Sequence, residues 1–419
     1  MPIRSRLLEG SREFFPSLIA DIDQARESIS LETYLLHDDP EVRAVLDALA
    51  RARSRGLEVR LVFDGYGSAP GLRSLSDFFL ERGLIPLVYA KKSWFLGPRS
   101  WRRLHRKLVV IDHRIAYVGG INLLSDWWDP TRGRLPAPRY DLAVRSEEPS
   151  LAQEVEGRMS RLWLRLRLSE LMISRPGVGI FQAQWRATWR GLRNARRRAR
   201  RVIAPGTHAS RMLWRDNLRH RRGIERAIDF QLAHARREIL IAMAYFLPRR
   251  QTRTLLCEAA RRGVRVRVLM QGQLEFWWAR WAEASLMDEL TQAGVEMVGY
   301  RESYLHAKAW LIDDWVCIGS SNMDPVSLLL SLEANLSSTN AELVQALRAS
   351  LEAASGSGRS VTLKAFGATA SDSNHWRPRW AERIQQRLAK RLNDIALTPA
   401  LLLLRLFARL ADSGRHRSW

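Results

Sequence analysis

Two short segments of the chain carry the same chemically active side chains at nearly the same spacing. Each reads His-x-Lys-x4-Asp and continues to a glycine three residues before an asparagine. The members are His105, Lys107, Asp112, Gly119 and Asn122 in the first copy and His306, Lys308, Asp313, Gly319 and Asn322 in the second. The aspartate-to-glycine spacer is one residue shorter in the second copy, which a hairpin turn can absorb. One match would be weak evidence, whereas two in one chain indicate a site.

The spacing within each copy brings together groups that suit a phosphate. A histidine and a lysine two residues apart on a strand point to the same face, so an imidazole and an ammonium stand side by side. We expect the asparagines to donate hydrogen bonds to phosphate oxygens, and Ser320 and Ser321 beside Asn322 to add hydroxyl donors. Asp112 and Asp313 stand where the strand turns. Within this catalytic motif we expect them to be structural, or paired with a base, rather than proton carriers.

The elements that must position these residues also occur twice. In each half a helix ends at Ala-Arg, a buried strand with a tyrosine near its end follows, and a second helix closes at Arg-Gly before another strand. The markers are Ala25-Arg26, Tyr34 and Arg55-Gly56 in the first half and Ala235-Arg236, Tyr245 and Arg262-Gly263 in the second. This order predicts an α/β fold class, with two tandem domains related by a pseudo-two-fold axis and one active site at their interface.

The domain boundaries are predicted from this repeat and from composition. We place the domains at residues 1–180 and 205–355, with an Arg-rich linker at 181–204 and a basic amphipathic tail at 356–419. A hydrophobic fraction of 46% over 419 residues excludes global disorder, and 2 Cys exclude a disulfide scaffold. No uncharged stretch approaches the roughly 20 residues that a membrane-spanning helix needs. No cluster has metal-ligand spacing, so we expect neither a metal nor another cofactor.

The charge predicts a polyanionic partner. Lys+Arg number 67 against 44 Asp+Glu, a formal charge of +23, which suits nucleic acid, an anionic membrane or a phosphate-rich substrate. Aromatic and basic segments favour the membrane, although packed core is the alternative for them. They comprise Trp94, Phe95 and Trp101 before the first motif, Phe276, Trp277, Trp278 and Trp281 before the second, the arginines of 196–201, and a tail helix with Trp380, Ile384, Leu388, Leu392 and Ile395 on one face.

The two motif copies resemble the paired signatures of the phospholipase D superfamily. The wider chain, over residues 7–347, is similar to the B-type family of bacterial cardiolipin synthases. The similarity rests on LETYLL, VFDGYGS, LHRKLVVID, VGGIN, WRDN, RRGVRVRVL, LHAKAWLIDD and IGSSNMDPVSLLLSLEANL. The resemblance implies two phospholipase D-like domains, each with a mixed sheet flanked by helices.

The resemblance also implies roles for single residues. His105 would attack phosphorus and form a phosphohistidine, while His306 would protonate the leaving alcohol and then act as base for the incoming hydroxyl. The motif lysines and asparagines would hold the phosphate oxygens without a metal. A carboxylate is needed to fix each imidazole tautomer. We expect Asp141 to orient His105, and Glu333 to orient His306.

Several functions fit this resemblance. The first is a phosphatidyltransferase that makes cardiolipin from phosphatidylglycerol and a second phospholipid. The alternatives are a hydrolytic phospholipase D, a nuclease of the same superfamily, and a binding protein that has lost activity, which the two intact His-Lys pairs disfavour. We predict a peripheral protein of the bacterial inner membrane whose partners are anionic phospholipids and the membrane surface, with no nucleic acid.

Overall fold

The computed structural model describes residues 5–90, 102–130, 132–173, 210–216, 220–272, 288–324, 331–356 and 360–362. Several predicted features lie outside the described residues. They are the aromatic clusters of Trp94, Phe95 and Trp101 and of Phe276, Trp277, Trp278 and Trp281, the 181–204 linker with its arginines, and the tail helix from Trp380 to Ile395.

The first half is built on a mixed sheet of seven strands, and three further short strands of this half lie outside that sheet. Its strands are β1 (Ser5–Glu9), β2 (Ser28–Thr33), β3 (Glu58–Asp64), β4 (Pro86–Tyr89), β5 (Arg103–Leu104), β6 (Lys107–Ile111), β7 (Ile115–Gly119), β8 (Trp128–Asp129), β9 (Gly133–Arg134) and β10 (Leu142–Ser146). Its helices are α1 (Gly10–Gln24), α2 (Pro40–Ser54), α3 (Ala69–Ser74), α4 (Ser76–Glu81) and α5 (Pro149–Ile173). The sheet order is β1-β10-β7-β6-β2-β3-β4, with β2, β3 and β4 parallel.

The second half repeats this arrangement. Its strands are β11 (Ser210–Arg215), β12 (Glu238–Met243), β13 (Arg265–Gln271), β14 (Glu296–Tyr300), β15 (Lys308–Ile312), β16 (Trp315–Gly319), β17 (Ser331–Ser338) and β18 (Ser360–Thr362). Its helices are α6 (Gly223–His234), α7 (Arg250–Arg261) and α8 (Ala341–Ser355). The order β11-β17-β16-β15-β12-β13-β14 matches the first sheet strand for strand, and β18 adds to its edge. The predicted α/β duplication is therefore confirmed.

Helix α2 shows how the local sequence starts and stops these elements. Asp39 caps its N-terminus by accepting the Val42 N–H at 3.0 Å, and Pro40 occupies the first turn, where no N–H donor is needed. The chain leaves the helix through Gly56, whose φ of 87° is left-handed, and Gly263 ends α7 with a φ of 89°. The Arg-Gly pairs that mark the repeat are thus helix C-terminal caps.

The two halves share one hydrophobic core in addition to a core of their own. Strands β7 and β10 of the first half and β16 and β17 of the second contribute buried side chains to it, including Val118, Leu142, Val144, Ile318 and Leu336. Helices α5 and α8 complete it. Polar contacts also join the two halves: the Trp214 indole donates to Glu154 at 2.7 Å, and the Tyr140 and Ser350 hydroxyls lie 2.6 Å apart. Because this core is common to both sheets, the halves hold a fixed relation to each other.

None of the helices in the part of the chain that the structure describes is long and apolar enough to cross a membrane.

Candidate active site

Each histidine lies at the end of its sheet where the parallel strands have their C-termini. We call this end the site edge. In the first half, β2, β3 and β4 end there, and the antiparallel strand β6 begins there with Lys107, which lies opposite Gly119. His105 precedes that lysine on a short segment that leaves its own sheet. The segment, β5, pairs with β17 of the second half, and the His105 N–H donates to the Leu332 carbonyl at 3.1 Å. The first histidine is therefore held by the second half.

The second histidine is held by the first half in the same way. Leu305 forms a parallel bridge with Tyr140, the residue before Asp141. The N–H groups of His306 and Ala307 both donate to the Tyr140 carbonyl, at 2.8 and 3.1 Å. Each half thus binds the backbone at the other half's histidine, and the contacts are reciprocal because the two halves have the same topology.

The carboxylates pair with the histidines across the two halves. His105 Nδ1 lies 3.1 Å from Glu333 Oε2, and His306 Nδ1 lies 2.6 Å from Asp141 Oδ2. The predicted pairing of Asp141 with His105 and of Glu333 with His306 is wrong. The reason is that each histidine bonds to the backbone of the opposite half just before that half's acid: His105 at Leu332, next to Glu333, and His306 at Tyr140, next to Asp141. With Nδ1–H donating to a carboxylate, each imidazole presents Nε2 as its free nitrogen.

The lysines lie beside their own histidines. Lys107 Nζ donates to the His105 carbonyl at 2.7 Å, and Lys308 Nζ donates to the His306 carbonyl. Both side chains are buried. The ring of Tyr34, used above only as a marker of the repeat, lies 4.9 Å from the His105 ring and 5.5 Å from Lys107 Nζ. Sequence reasoning missed this aromatic wall, although a tyrosine at the same place in both repeats was its signal.

Burial changes the protonation of these groups. It lowers the pKa of Lys107 to about 7; Glu333 acts in the opposite direction, and Lys308 adds to the lowering. Burial also lowers the pKa of His105, and burial together with Lys308 lowers that of His306 to about 3. For Asp141, burial alone would raise the pKa, but His306 and Lys308 outweigh it and lower the pKa. Both imidazoles are consequently neutral near pH 7, the form in which an imidazole is a nucleophile or a base.

The asparagines of the motif differ in their contacts. The Asn122 side-chain oxygen accepts from the Leu35 N–H at 3.1 Å and from the Thr33 hydroxyl at 3.4 Å. That leaves its amide group with a long 3.5 Å contact to the Gly120 carbonyl. The Asn322 side chain is buried, and its oxygen has no hydrogen-bond partner among the described residues. The amide group of Asn122 therefore stays compatible with the predicted donor role.

The serines beside Asn322 are engaged elsewhere, contrary to the prediction that they offer hydroxyls to a phosphate. The Ser320 hydroxyl donates to Glu333 at 2.5 Å, and that of Ser321 donates to the Asn322 carbonyl at 3.3 Å. The Ser320 contact supports the carboxylate that orients His105. A hydroxyl next to the motif glycine is close enough to reach β17, which explains the difference.

The aspartates of the motif lie away from the histidines, at the far ends of β6 and β15. Asp112 accepts the backbone N–H groups of Arg26, Glu27 and Ser28 at 2.8, 2.7 and 3.0 Å, and Asp313 accepts those of Arg236, Arg237 and Glu238 at 2.9, 2.8 and 3.1 Å. Their φ angles of 48° and 51° fit the turn that follows each strand. Asp112 and Asp313 therefore do not contact the histidines. Their carboxylates hold backbone N–H groups at a turn, which is a structural role.

The described residues contain no group of histidines, cysteines and carboxylates that could hold a metal ion. The side chains of Lys107 and Lys308 lie beside the two histidines instead. Each imidazole has its Nδ1 engaged by a carboxylate and its Nε2 free, which is the form that can act as a nucleophile or a base.

Comparison with known proteins places this site in a family. A family model described as cardiolipin synthase, phospholipase D-like domain, matches residues 18–163 and 228–354, and each match contains one complete motif. The chain therefore belongs to this family, and the predicted resemblance is confirmed.

Relatives and solved structures agree with this assignment. The chain is 36% identical to cardiolipin synthase B of Salmonella typhimurium over 83% of its length and 79% of that protein. It is 35% identical to cardiolipin synthase B of Escherichia coli K12 over the same shares. The crystal structure of phosphatidylserine synthase from Haemophilus influenzae has a TM-score of 0.63 at 13% identity and covers 93% of this chain and 94% of that one. At that identity the similarity concerns the fold alone.

Proposed function

We propose that the protein is a cardiolipin synthase that works through a covalent phosphohistidine. It transfers the phosphatidyl group of one phosphatidylglycerol to a hydroxyl of a second phospholipid. The observation that carries the proposal is the pair of histidines at one edge, each fixed by a carboxylate of the opposite half and each beside a buried lysine. Identity to the cardiolipin synthase B relatives supports the choice of substrate class.

In the first step His105 Nε2 attacks the phosphorus of phosphatidylglycerol. The phosphorus–nitrogen bond forms, the bond to the headgroup oxygen breaks, and glycerol leaves with a proton from His306. The pKa of Lys107 is about 7 in the free site, and a bound phosphodiester anion favours its ammonium form. Lys107 and Lys308 then balance the charge on the non-bridging oxygens, which grows in the transition state. We assign the amides of Asn122 and Asn322 as further donors to the same oxygens.

In the second step the now neutral His306 takes the proton from the hydroxyl of a second phospholipid. That oxygen attacks phosphorus, the phosphorus–nitrogen bond breaks, and cardiolipin leaves His105 free. The low pKa of His306 in the free site favours the base form. A bound phosphodiester anion favours the protonated form instead, because an opposite charge close by stabilises the imidazolium. Substrate binding thus prepares His306 as the acid of the first step.

Product analysis tests this proposal. We expect vesicles of labelled phosphatidylglycerol to yield labelled cardiolipin and one glycerol for each cardiolipin formed, without added metal. Phosphatidic acid as the only lipid product would make water the acceptor and the protein a hydrolytic phospholipase D. Cleavage of a single-stranded oligonucleotide without lipid turnover would make it a nuclease. Either result would overturn the proposal.

We further propose that the protein works at the surface of the bacterial inner membrane, with the site edge facing the lipid. Strands β8 and β9 form a two-stranded ribbon a few residues beyond Asn122, and Trp128 in β8 stacks at 5.3 Å on His37, which follows the end of β2. Trp128 is 37% exposed and Trp127, just before the ribbon, is 43% exposed. Tyr66, in the loop after β3, is 58% exposed. Indole and phenol rings prefer the headgroup region, where one part of the ring is apolar and the other is wet.

Removal of these two tryptophans is expected to weaken binding to membranes. Trp127→Ala with Trp128→Ala should lower the affinity for phosphatidylglycerol vesicles by roughly 30-fold, since about 1 kcal/mol is lost at each of the two partly exposed rings. Co-sedimentation with the vesicles measures this. Ile85→Ala is the matched control, because Ile85 is 69% exposed but lies before β4, at the opposite end of the strands. Equal binding of the double variant and the control would contradict the predicted orientation.

A further inference from the structure

The residue before each histidine is held by a buried side chain that lies outside the His-Lys motif. Asp64, the last residue of β3, accepts the Leu104 N–H at 2.8 Å through Oδ2. Gln271, the last residue of β13, accepts the Leu305 N–H at 3.2 Å through Oε1. Both side chains are buried, with exposures of 0% and 7%. Two unlike residues thus make the same contact in the two halves.

The backbone around these residues is matched as well. The N–H of Gly65 donates to the Tyr89 carbonyl at 2.7 Å, and that of Gly272 donates to the Tyr300 carbonyl at 2.8 Å. A Cβ atom at Gly65 would lie 2.8 Å from the Ala90 oxygen, and one at Gly272 would lie 2.3 Å from the Tyr300 oxygen. The close approach that glycine permits therefore sets where β3 and β13 end, and with it the position of the side chain just before the glycine.

Each histidine is consequently fixed from two sides. Leu104 is anchored by Asp64 of its own half, while the next residue, His105, donates its N–H to Leu332 of the other half. Leu305 is anchored by Gln271, while His306 donates to Tyr140. The histidines precede the first residue of β6 or β15 and gain no ladder bonds from their own sheet. The anchors supply the contact from the histidine's own half, and therefore affect the direction of each imidazole.

The two anchors differ in what their replacement removes. Asp64 uses both carboxylate oxygens, because Oδ1 also accepts the N–H groups of Tyr66 at 2.9 Å and Gly67 at 3.0 Å. An asparagine there has only one accepting oxygen and must give up one set of contacts. Gln271 makes its contact with a single oxygen, so a methionine removes the acceptor at nearly the same length, and a glutamate keeps it.

We propose that Asp64 and Gln271 are matched positioning residues for the two steps of the reaction: Asp64 positions His105 for attack on phosphorus, and Gln271 positions His306 for proton transfer. This inference rests on the proposed function. Neither residue touches the reacting atoms, and each acts through the backbone of the residue before a histidine. Misplacing a reacting group by about 1 Å costs roughly 100-fold in rate, so loss of an anchor is measurable.

A substrate whose leaving group needs no proton separates the two roles. Phosphatidyl-p-nitrophenol in detergent micelles releases p-nitrophenolate in the first step, and its pre-steady-state burst measures attack by His105 alone. We expect Asp64→Asn to slow this burst by roughly 10- to 100-fold. Gln271→Met should leave the burst within about threefold of wild type, yet slow cardiolipin formation from phosphatidylglycerol by roughly 10- to 100-fold. Gln271→Glu should restore most of that rate.

The possible outcomes distinguish failure of this inference from failure of the proposed cardiolipin synthase function. With a normal wild-type burst, Gln271→Met slowing the burst by the same factor as cardiolipin formation would mean a merely structural role for Gln271. Asp64→Asn leaving the burst at the wild-type rate would remove the role of Asp64. Either result would overturn the inference alone. A failure of Gln271→Glu to recover activity while folding normally would overturn the role of Gln271. A wild-type protein that shows no burst and forms no cardiolipin would overturn the proposed function, and this inference with it.

Discussion

Replacement of His105 by alanine is expected to lower the rate of cardiolipin formation by roughly 10⁴-fold or more, because the covalent step then has no nucleophile. The imidazole is neutral and its Nδ1 is engaged by Glu333, so the Nε2 lone pair is the group that the substitution removes. His306→Ala should slow turnover of phosphatidylglycerol by roughly 10²- to 10⁴-fold, the usual contribution of a general acid. Product formation in vesicles under single-turnover conditions measures both losses.

The two histidine variants are expected to differ in their burst of p-nitrophenolate when the substrate has an activated leaving group. With phosphatidyl-p-nitrophenol, His306→Ala should still release a burst of p-nitrophenolate and then stall, since the second step lacks its base. His105→Ala should release none. His234→Ala is the control, because this exposed histidine at the end of α6 donates through Nδ1–H to the Phe230 carbonyl of its own helix and should retain full activity. A burst in His105→Ala with none in His306→Ala would reverse the assignment of nucleophile and acid.

Replacement of the carboxylates that pair with the histidines across the two halves is expected to have the second large effect on turnover. We expect Glu333→Gln to impair His105 and Asp141→Asn to impair His306, each slowing turnover of phosphatidylglycerol by roughly 10²- to 10⁴-fold, because an amide no longer holds the required tautomer. The pairs are 3.1 and 2.6 Å long, and both acids are buried, so water cannot replace them easily. Both substitutions keep the shape of the side chain.

Trapping of the intermediate distinguishes the crossed pairs from pairs within one half. After mixing with phosphatidyl-p-nitrophenol and rapid denaturation, Asp141→Asn should accumulate lipid bound covalently to His105, because only its second step is slow. Glu333→Gln should accumulate little. The opposite pattern would mean that each acid serves the histidine of its own half. Asp23→Asn, which alters an exposed carboxylate paired with Arg51, is the control and should behave as wild type.

The duplication could be predicted from sequence because its signals are local. The His-x-Lys-x4-Asp motif and the Arg-Gly pair that ends a helix each span only a few residues, although the histidines themselves lie just before β6 and β15 rather than on them. The matching strand orders of the two sheets follow from the same local units folded twice. The structural role expected of Asp112 and Asp313 also came from their place at a turn, although their partners lie elsewhere in the chain.

The partners of the histidines could not be inferred in this way. His105 meets Glu333 across 228 positions and His306 meets Asp141 across 165, and no local pattern encodes which half supplies the acid. The engagement of Ser320 with Glu333, and the anchors Asp64 and Gln271, depend on the same packing. The chain's sequence specifies two copies of a phosphate-binding strand motif. The two copies form one site only because the halves share a core, β5 pairs with β17 of the second half, and Tyr140 of the first half binds the backbone at His306. Such long-range pairing is set by how whole sheets pack.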